Sequence, residues 1–336
     1  MITKFYEKIK NYIKENRKFL ITLIIIFLIS IIKLPFYIDA PGGLINVNDK
    51  ITIENSNKIN GSINLSYVSE YRATIPIYLY SLINKDYDII NIDDTKYDNE
   101  TLEQAIFRSD IMLKESVNNA TIVAYNYAKG QVTIKDTKVY ITYVDIDSDT
   151  ELKVGDEILK VENEKIQNKD DLYKILDRYS VGDKVTITVK RNNKEYNVIS
   201  TLKELNNRAV IGIIVSEIYE VDTNPLLTFN YDASETGPSG GLMLTIAIYD
   251  YLTEEDIARG RNIVGTGTIN LDGTVGSIGG VKYKLKGAVK NGADIFIVPT
   301  GENYDEVINL VRENNYNITI VEADTFENVI NKLRSI

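Results

Sequence analysis

Ser239 stands in the run Ser234-Glu235-Thr236-Gly237-Pro238-Ser239-Gly240-Gly241, between the apolar stretches LLTFNY and LMLTIAIYDYL. The first stretch reads as a strand. The second is apolar nearly all round, which is the pattern of a buried helix, so the serine falls on a strand-to-helix turn. There it lies among free backbone N–H groups at the positive end of a helix dipole, a setting that can stabilise an oxyanion when a hydroxyl attacks a carbonyl. The backbone N–H groups around Gly237 to Gly240 form the candidate oxyanion hole, and glycines at these positions let a substrate backbone approach. The same turn also suits a plain helix N-cap, the commoner use of serine there.

A nucleophile needs a base, and composition narrows the choice. The chain has 336 residues with no histidine and no cysteine. A Ser-His-Asp triad, a thiol protease, a disulfide framework and a His/Cys metal site are thereby excluded. What remains is a carboxylate pair, a lysine or terminal amine, or an oxygen-ligated cation. No spacing among the 48 acids singles out a pair, and neither a metal nor a cofactor is expected. Lysines do recur at one place, Lys282, Lys284 and Lys286. They close the run Gly265-Thr266-Gly267-Thr268-Ile269 … Asp272-Gly273 … Gly279-Gly280-Val281, which reads as strand, hairpin, strand and a Gly-Gly lead into the helix KYKLKGAVKNGA. Ser-x-x-Lys occurs at Ser30 to Lys33 and Ser200 to Lys203, but without K-T-G or S-D-N a penicillin-binding acyl transferase has no support.

The elements that must position these groups begin with a hydrophobic segment. Residues 1–18 carry six cations against two acids, while the net charge of −10 leaves the rest of the chain at −14. An acidic body without a basic stripe argues against a nucleic-acid partner. From Phe19 to Ile38 only Lys33 is charged, and as a helix this segment spans about 30 Å, the thickness of a bilayer core. A single-pass transmembrane helix over 19–38 is expected, with the cationic N-terminus cytoplasmic and the bulk of the chain extracellular. The rival is a cleaved signal peptide, since Phe19 to Ile32 has the length of an h-region.

Between Lys138 and Ser200 the pattern is strand, turn, strand, helix, strand. Leu152-Lys153-Val154-Gly155-Asp156-Glu157-Ile158-Leu159-Lys160-Val161, the helix with Leu172, Ile175 and Leu176, and Gly182-Asp183-Lys184-Val185 through Arg191 resemble a PDZ domain. The resemblance implies a groove that takes up an extended peptide by strand addition. On that expectation Val139, Tyr140 and Ile141 offer backbone groups of an edge strand, and Leu172 and Leu176 line the pocket. The alternative is that all five are ordinary core residues.

Gly-Pro-Ser-Gly-Gly followed by the Gly265–Lys284 run and the strand Ile295-Phe296-Ile297-Val298-Pro299 resembles the Lon peptidase domain. That resemblance implies Ser239 as nucleophile, Lys284 as base and Thr266 as the residue that orients the lysine, with Lys282 and Lys286 as neighbours in alternative registers. Gly240 stands where the family has alanine, and Thr236 and Thr268 stand where ATP-dependent members have acids. Gly61 to Leu65 and Ile111 to Ala120 resemble the first pieces of the same domain. The expected fold is therefore α+β: a cytoplasmic tail (1–18), a transmembrane helix (19–38), an N-terminal part of a Lon-like domain (39–128), an inserted PDZ domain (129–204) and a Lon-type catalytic domain (205–336). The chain contains no G-x-x-x-x-G-K-[ST] phosphate loop. The expected function is an ATP-independent serine endopeptidase acting on exported peptides or flexible proteins at the membrane, with a homo-oligomer implied by the rings that Lon-type domains form. The alternative is a catalytically inactive PDZ adaptor on the same fold.

Overall fold

The computed structural model describes residues 2–54, 56, 59–230, 238–253 and 255–336. The chain divides into two compact units, Met1–Pro41 with Ser69–Thr95, and Gly42–Val68 with Lys96–Ile336. In chain order the first elements are α1 (Ile2–Glu15), α2 (Arg17–Ser30), β1 (Lys33–Asn46), β2 (Ile51–Ile53), β3 (Ser62–Thr74), α3 (Ile75–Ser81), β4 (Asp88–Asn91) and α4 (Leu102–Tyr127). Next come β5 (Gln131–Val144), β6 (Glu157–Val161), β7 (Glu164–Lys165), α5 (Lys169–Leu176), β8 (Lys184–Arg191), β9 (Lys194–Thr201), β10 (Lys203–Leu205), β11 (Arg208–Val210) and β12 (Ile213–Asn224). The C-terminal part holds β13 (Leu227–Phe229), α6 (Gly241–Leu252), β14 (Asn262–Gly265), β15 (Thr268–Ile269), β16 (Val275–Gly276), α7 (Val281–Lys290), β17 (Ile295–Pro299), α8 (Glu302–Asn314), β18 (Thr319–Ala323) and α9 (Phe326–Ser335).

In the smaller unit the expected helix over 19–38 is corrected. Helix α2 stops at Ser30 after 14 residues, a length of about 21 Å against the roughly 30 Å of a bilayer core. Pro35 cannot donate to a helix ladder and pushes Leu34 towards extended backbone. The chain accordingly turns into β1, whose Phe36 to Asp39 pair antiparallel with β4. Among the described residues no helix is long and apolar enough to cross a membrane.

In the larger unit the order β18-β17-β14-β3-β1 defines the main sheet, in which β14 runs parallel to both β17 and β3 and β17 runs parallel to β18. Successive strand residues point to opposite faces. Ile295 and Ile297 join one apolar cluster with α4, α6 and α9, while Phe296 and Val298 join another with α7 and α8. Both faces are thus covered, which is why IFIVP is apolar without alternation. Helix α6 is buried from Gly241 through Asp250, as its all-round apolar sequence requires.

The PDZ-like part forms an antiparallel sheet in the order β12-β5-β6-β8-β9. Val185, Ile187 and Val189 of β8 and Leu172, Ile175 and Leu176 of α5 fill its core, at the spacings of two and of three to four that strands and helices dictate. Strand β12 lies beyond the expected limit at residue 204. Gln131 and Asn224, the ends of β5 and β12, are register partners, so the chain enters and leaves this sheet at adjacent points. Residues 69–95, expected in the N-terminal part of the peptidase, belong to the smaller unit instead.

Candidate active site

Ser239 sits in the 3-10 turn Pro238–Gly240 that leads directly into α6. Its carbonyl accepts the Gly267 N–H at 2.8 Å and the Thr266 hydroxyl at 3.0 Å. The Leu242 N–H in turn reaches the Gly267 carbonyl at 3.0 Å. The serine and the first turn of α6 are therefore tied to the segment that follows β14. Gly237 lies outside the described residues, and Gly240 is the N-cap residue of α6.

Thr266 is fully buried at the carboxyl end of β14, the edge at which parallel sheets place their ligands. Its hydroxyl accepts from Lys284 Nζ at 3.0 Å while donating to Ser239. A hydroxyl has one proton and two lone pairs, so both roles are compatible. Lys284 lies on α7, is 4% exposed, and is held through its own carbonyl by the Ser66 hydroxyl at 2.7 Å. Of the three neighbouring lysines it is the buried one; Lys282 and Lys286 are partly exposed. Burial disfavours the ammonium and lowers the Lys284 pKa from 10.5 to about 8.

Close packing explains the glycines. A Cβ on Gly265 would come within 2.9 Å of the Ile297 carbonyl oxygen, and one on Gly241 within 2.6 Å of Ser116 Oγ. At Gly240, where the Lon family has alanine, the methyl's place is filled by Leu65, whose Cδ2 would lie 2.8 Å away. Gly280 begins α7 at a φ of +67°, a backbone conformation that β-substituted residues rarely adopt.

The PDZ residues fall differently from expectation. Strand β5 is not an edge: Val139 pairs with Glu217 on one side and Ile158 on the other, and Tyr140 pairs with Ser216 and Glu157. The backbones of Val139 and Tyr140 are thus engaged, as is that of Ile141, whose N–H donates to the Asp156 carbonyl at 2.9 Å. They offer nothing to a peptide, and Val139 and Ile141 are core residues. The edge strand is β12. Between it and α5 lies a mainly apolar cavity of about 320 Å³, lined by the core residues Leu172 and Leu176 and also by Ile211, Gly212, Ile213 and Val215. The second set was missed because Ile211-Gly212-Ile213 lies past the assumed domain limit. Ser66 and Ser116 were missed as site residues as well. A lone serine in a strand carries no signal, and Ser116 stood out only as part of a resembling helix; its Oγ donates to the Pro238 carbonyl at 3.1 Å.

Comparison with known proteins accords with this geometry. Residues 232–335 match the Lon protease (S16) C-terminal proteolytic domain, and residues 123–201 match the PDZ domain. The chain therefore carries a proteolytic domain of the Lon serine peptidase type. It carries a PDZ domain ahead of it, and so has the PDZ–Lon arrangement. It is 34% identical over 93 residues to the Lon protease of Mesomycoplasma hyopneumoniae, covering 28% of this chain and 10% of that protein. It is 35% identical over 148 residues to the Lon protease of Malacoplasma penetrans, covering 41% of this chain and 18% of that protein. The chain thus spans between about a tenth and a fifth of the length of these relatives. Among solved structures, the PDZ domain of the SdrC-like protein from Listeria monocytogenes is 24% identical, with 25% of this chain and 92% of that chain covered and a TM-score of 0.22.

Proposed function

We propose that this chain is an ATP-independent, membrane-attached serine endopeptidase in which Ser239 is the nucleophile and Lys284 the base. The observation that carries this reading is the buried Lys284, its pKa lowered to about 8 and its Nζ bonded to Thr266, which also holds the Ser239 carbonyl. Neutral Lys284 takes the Ser239 proton as Oγ attacks a peptide carbonyl, and the oxyanion that forms is stabilised by backbone N–H groups at the start of α6. The C–N bond then breaks, and the lysine proton passes to the leaving amine. Water attacks the acyl-enzyme by the same route in reverse, giving its proton to Lys284 and releasing the acid and free Ser239.

The substrates are peptides or flexible proteins, because the chain has no ATP-binding phosphate loop to power unfolding. The groove between α5 and β12 binds a peptide strand, with Leu172, Leu176 and Ile213 as its apolar wall. Membrane attachment is through α2, whose side chains from Phe19 to Ile29 are almost all apolar. The cations of residues 1–18 draw this attachment towards an anionic lipid surface.

The test is cleavage of unstructured peptides by the full chain in detergent micelles, compared with Ser239→Ala and Lys284→Met. Both variants are expected to lose cleavage while still folding. Full activity in either would overturn the assignment, and full activity in neither together with acylation of Ser239 by a serine-directed reagent would support it.

A further inference from the structure

Helix α4 bonds in two directions. Ser116, 6% exposed, donates to the Pro238 carbonyl at 3.1 Å, and Asn119 donates to the Ile269 carbonyl at 3.1 Å. Pro238 directly precedes Ser239, and Ile269 ends β15, so this face holds the two segments that frame the nucleophile. One position back in each case, Asn118 accepts the Tyr219 N–H at 2.9 Å, and Glu115 accepts hydrogen bonds from Ser216 and from the Glu217 backbone. Residues three apart share a helix face, so 116 with 119 and 115 with 118 define two neighbouring faces, one towards the peptidase turn and one towards β12.

Glu217 is 4% exposed and sits on β12, the groove's edge strand. Its carboxylate accepts the Lys169 backbone N–H and the Tyr219 hydroxyl, each at 2.5 Å. Lys169 is the first residue of α5, the opposite wall of the groove, and its Nζ lies 3.8 Å from Glu115 and 3.9 Å from Glu217. Both walls of the PDZ groove therefore converge on a pair of carboxylates that one cation bridges. The two acids share this one cation, and burial pushes the Glu115 carboxyl upward while Lys169 draws it back. Without the cation nothing balances the two carboxylates across the contact, and α4 is free to shift against the groove.

We propose that Lys169 is a positioning residue for the peptidase site: by bridging Glu115 and Glu217 it sets helix α4 against the groove walls, and Ser116 transmits that setting to the Pro238–Ser239 turn. A peptide held between α5 and β12 then alters turnover at Ser239 without touching it. This inference rests on the assignment of Ser239 as nucleophile.

The test is a double-mutant cycle in the full chain in detergent micelles, read as steady-state kcat and KM on a fluorogenic unstructured peptide, with thermal unfolding of each variant. Lys169→Met is expected to lower kcat about fivefold with KM unchanged, a size typical of coupling through packed elements. Lys169→Arg restores most of it. In a Ser116→Ala background, itself slowed about tenfold by a misplaced nucleophile, adding Lys169→Met has little further effect. Lys169 is 42% exposed at its side chain, so folding should survive; Lys169→Gln serves if the Met variant unfolds. An unchanged kcat in Lys169→Met, or losses that multiply in the double variant, would overturn the proposal. Full cleavage by Ser239→Ala would instead remove the assignment beneath it.

Discussion

Lys284 has to lose a charge that free lysine keeps at neutral pH, and burial is what makes this feasible. With a folded pKa of about 8, kcat/KM should climb with pH through an apparent pKa near that value and level off above it. Lys284→Arg should be inactive at every pH, because guanidinium stays protonated. The same burial costs stability. Below pH 8 the lysine is charged in both folded and unfolded states and the penalty is complete; as pH rises towards 10.5 the folded chain releases the proton first, so stability increases. Lys284→Met should therefore raise stability at pH 7 by on the order of 2 kcal/mol, with the gain fading towards pH 10.5 in denaturant titrations. Thr266→Val keeps the shape but removes the hydroxyl that Lys284 and Ser239 share. A fall in kcat of about 100-fold with little change in KM is expected, and an unchanged kcat would deny Thr266 its orienting part.

Strand β5 shows how a local pattern misleads about pairing. Its apolar residues mark it as a strand, but alternation does not say whether one edge or two are filled. Since Val139 and Ile141 are hydrogen-bonded within the sheet interior, their amides should exchange with deuterium only on near-global unfolding. Fast exchange there would restore the edge-strand reading. The start of α6 is a packing problem of a different kind. Gly240→Ala meets the movable tip of Leu65 rather than backbone, so a loss of about 1 kcal/mol is expected, recovered by Leu65→Val in the double variant. Gly265→Ala meets the Ile297 carbonyl, and no side-chain change should rescue it.

Across the full chain the charge is uneven, with a cationic start, the apolar helix α2 and an acidic remainder. The chain has no tryptophan and no cysteine, so an inserted indole reports without background. With Phe27→Trp in α2, reconstitution into vesicles should shift emission to the blue and allow quenching by brominated lipid, whereas Tyr173→Trp on α5 should answer only to aqueous acrylamide. Equal aqueous quenching at both positions would rule out attachment through α2.

Much of the site is legible in the sequence. Absence of histidine and cysteine confines the base to few residue types, and the resemblance to the Lon peptidase domain brings Ser239, Thr266 and Lys284 forward as one group. Strand β17 and buried helix α6 are legible because their periodicity is local. The resemblance selects Lys284 over Lys282 and Lys286, but its burial to 4% exposed against Thr266 comes only from folding. Ser66 and Ser116 are not legible, since their partners lie 218 and 122 residues away, and neither is the filling of both edges of β5. The end of α2 at Ser30 hung on Pro35 and on pairing with β4, which hydropathy averages away. Sequence carries what neighbours along the chain dictate, while burial, strand partners and the pKa of a lysine depend on what the fold brings from far away.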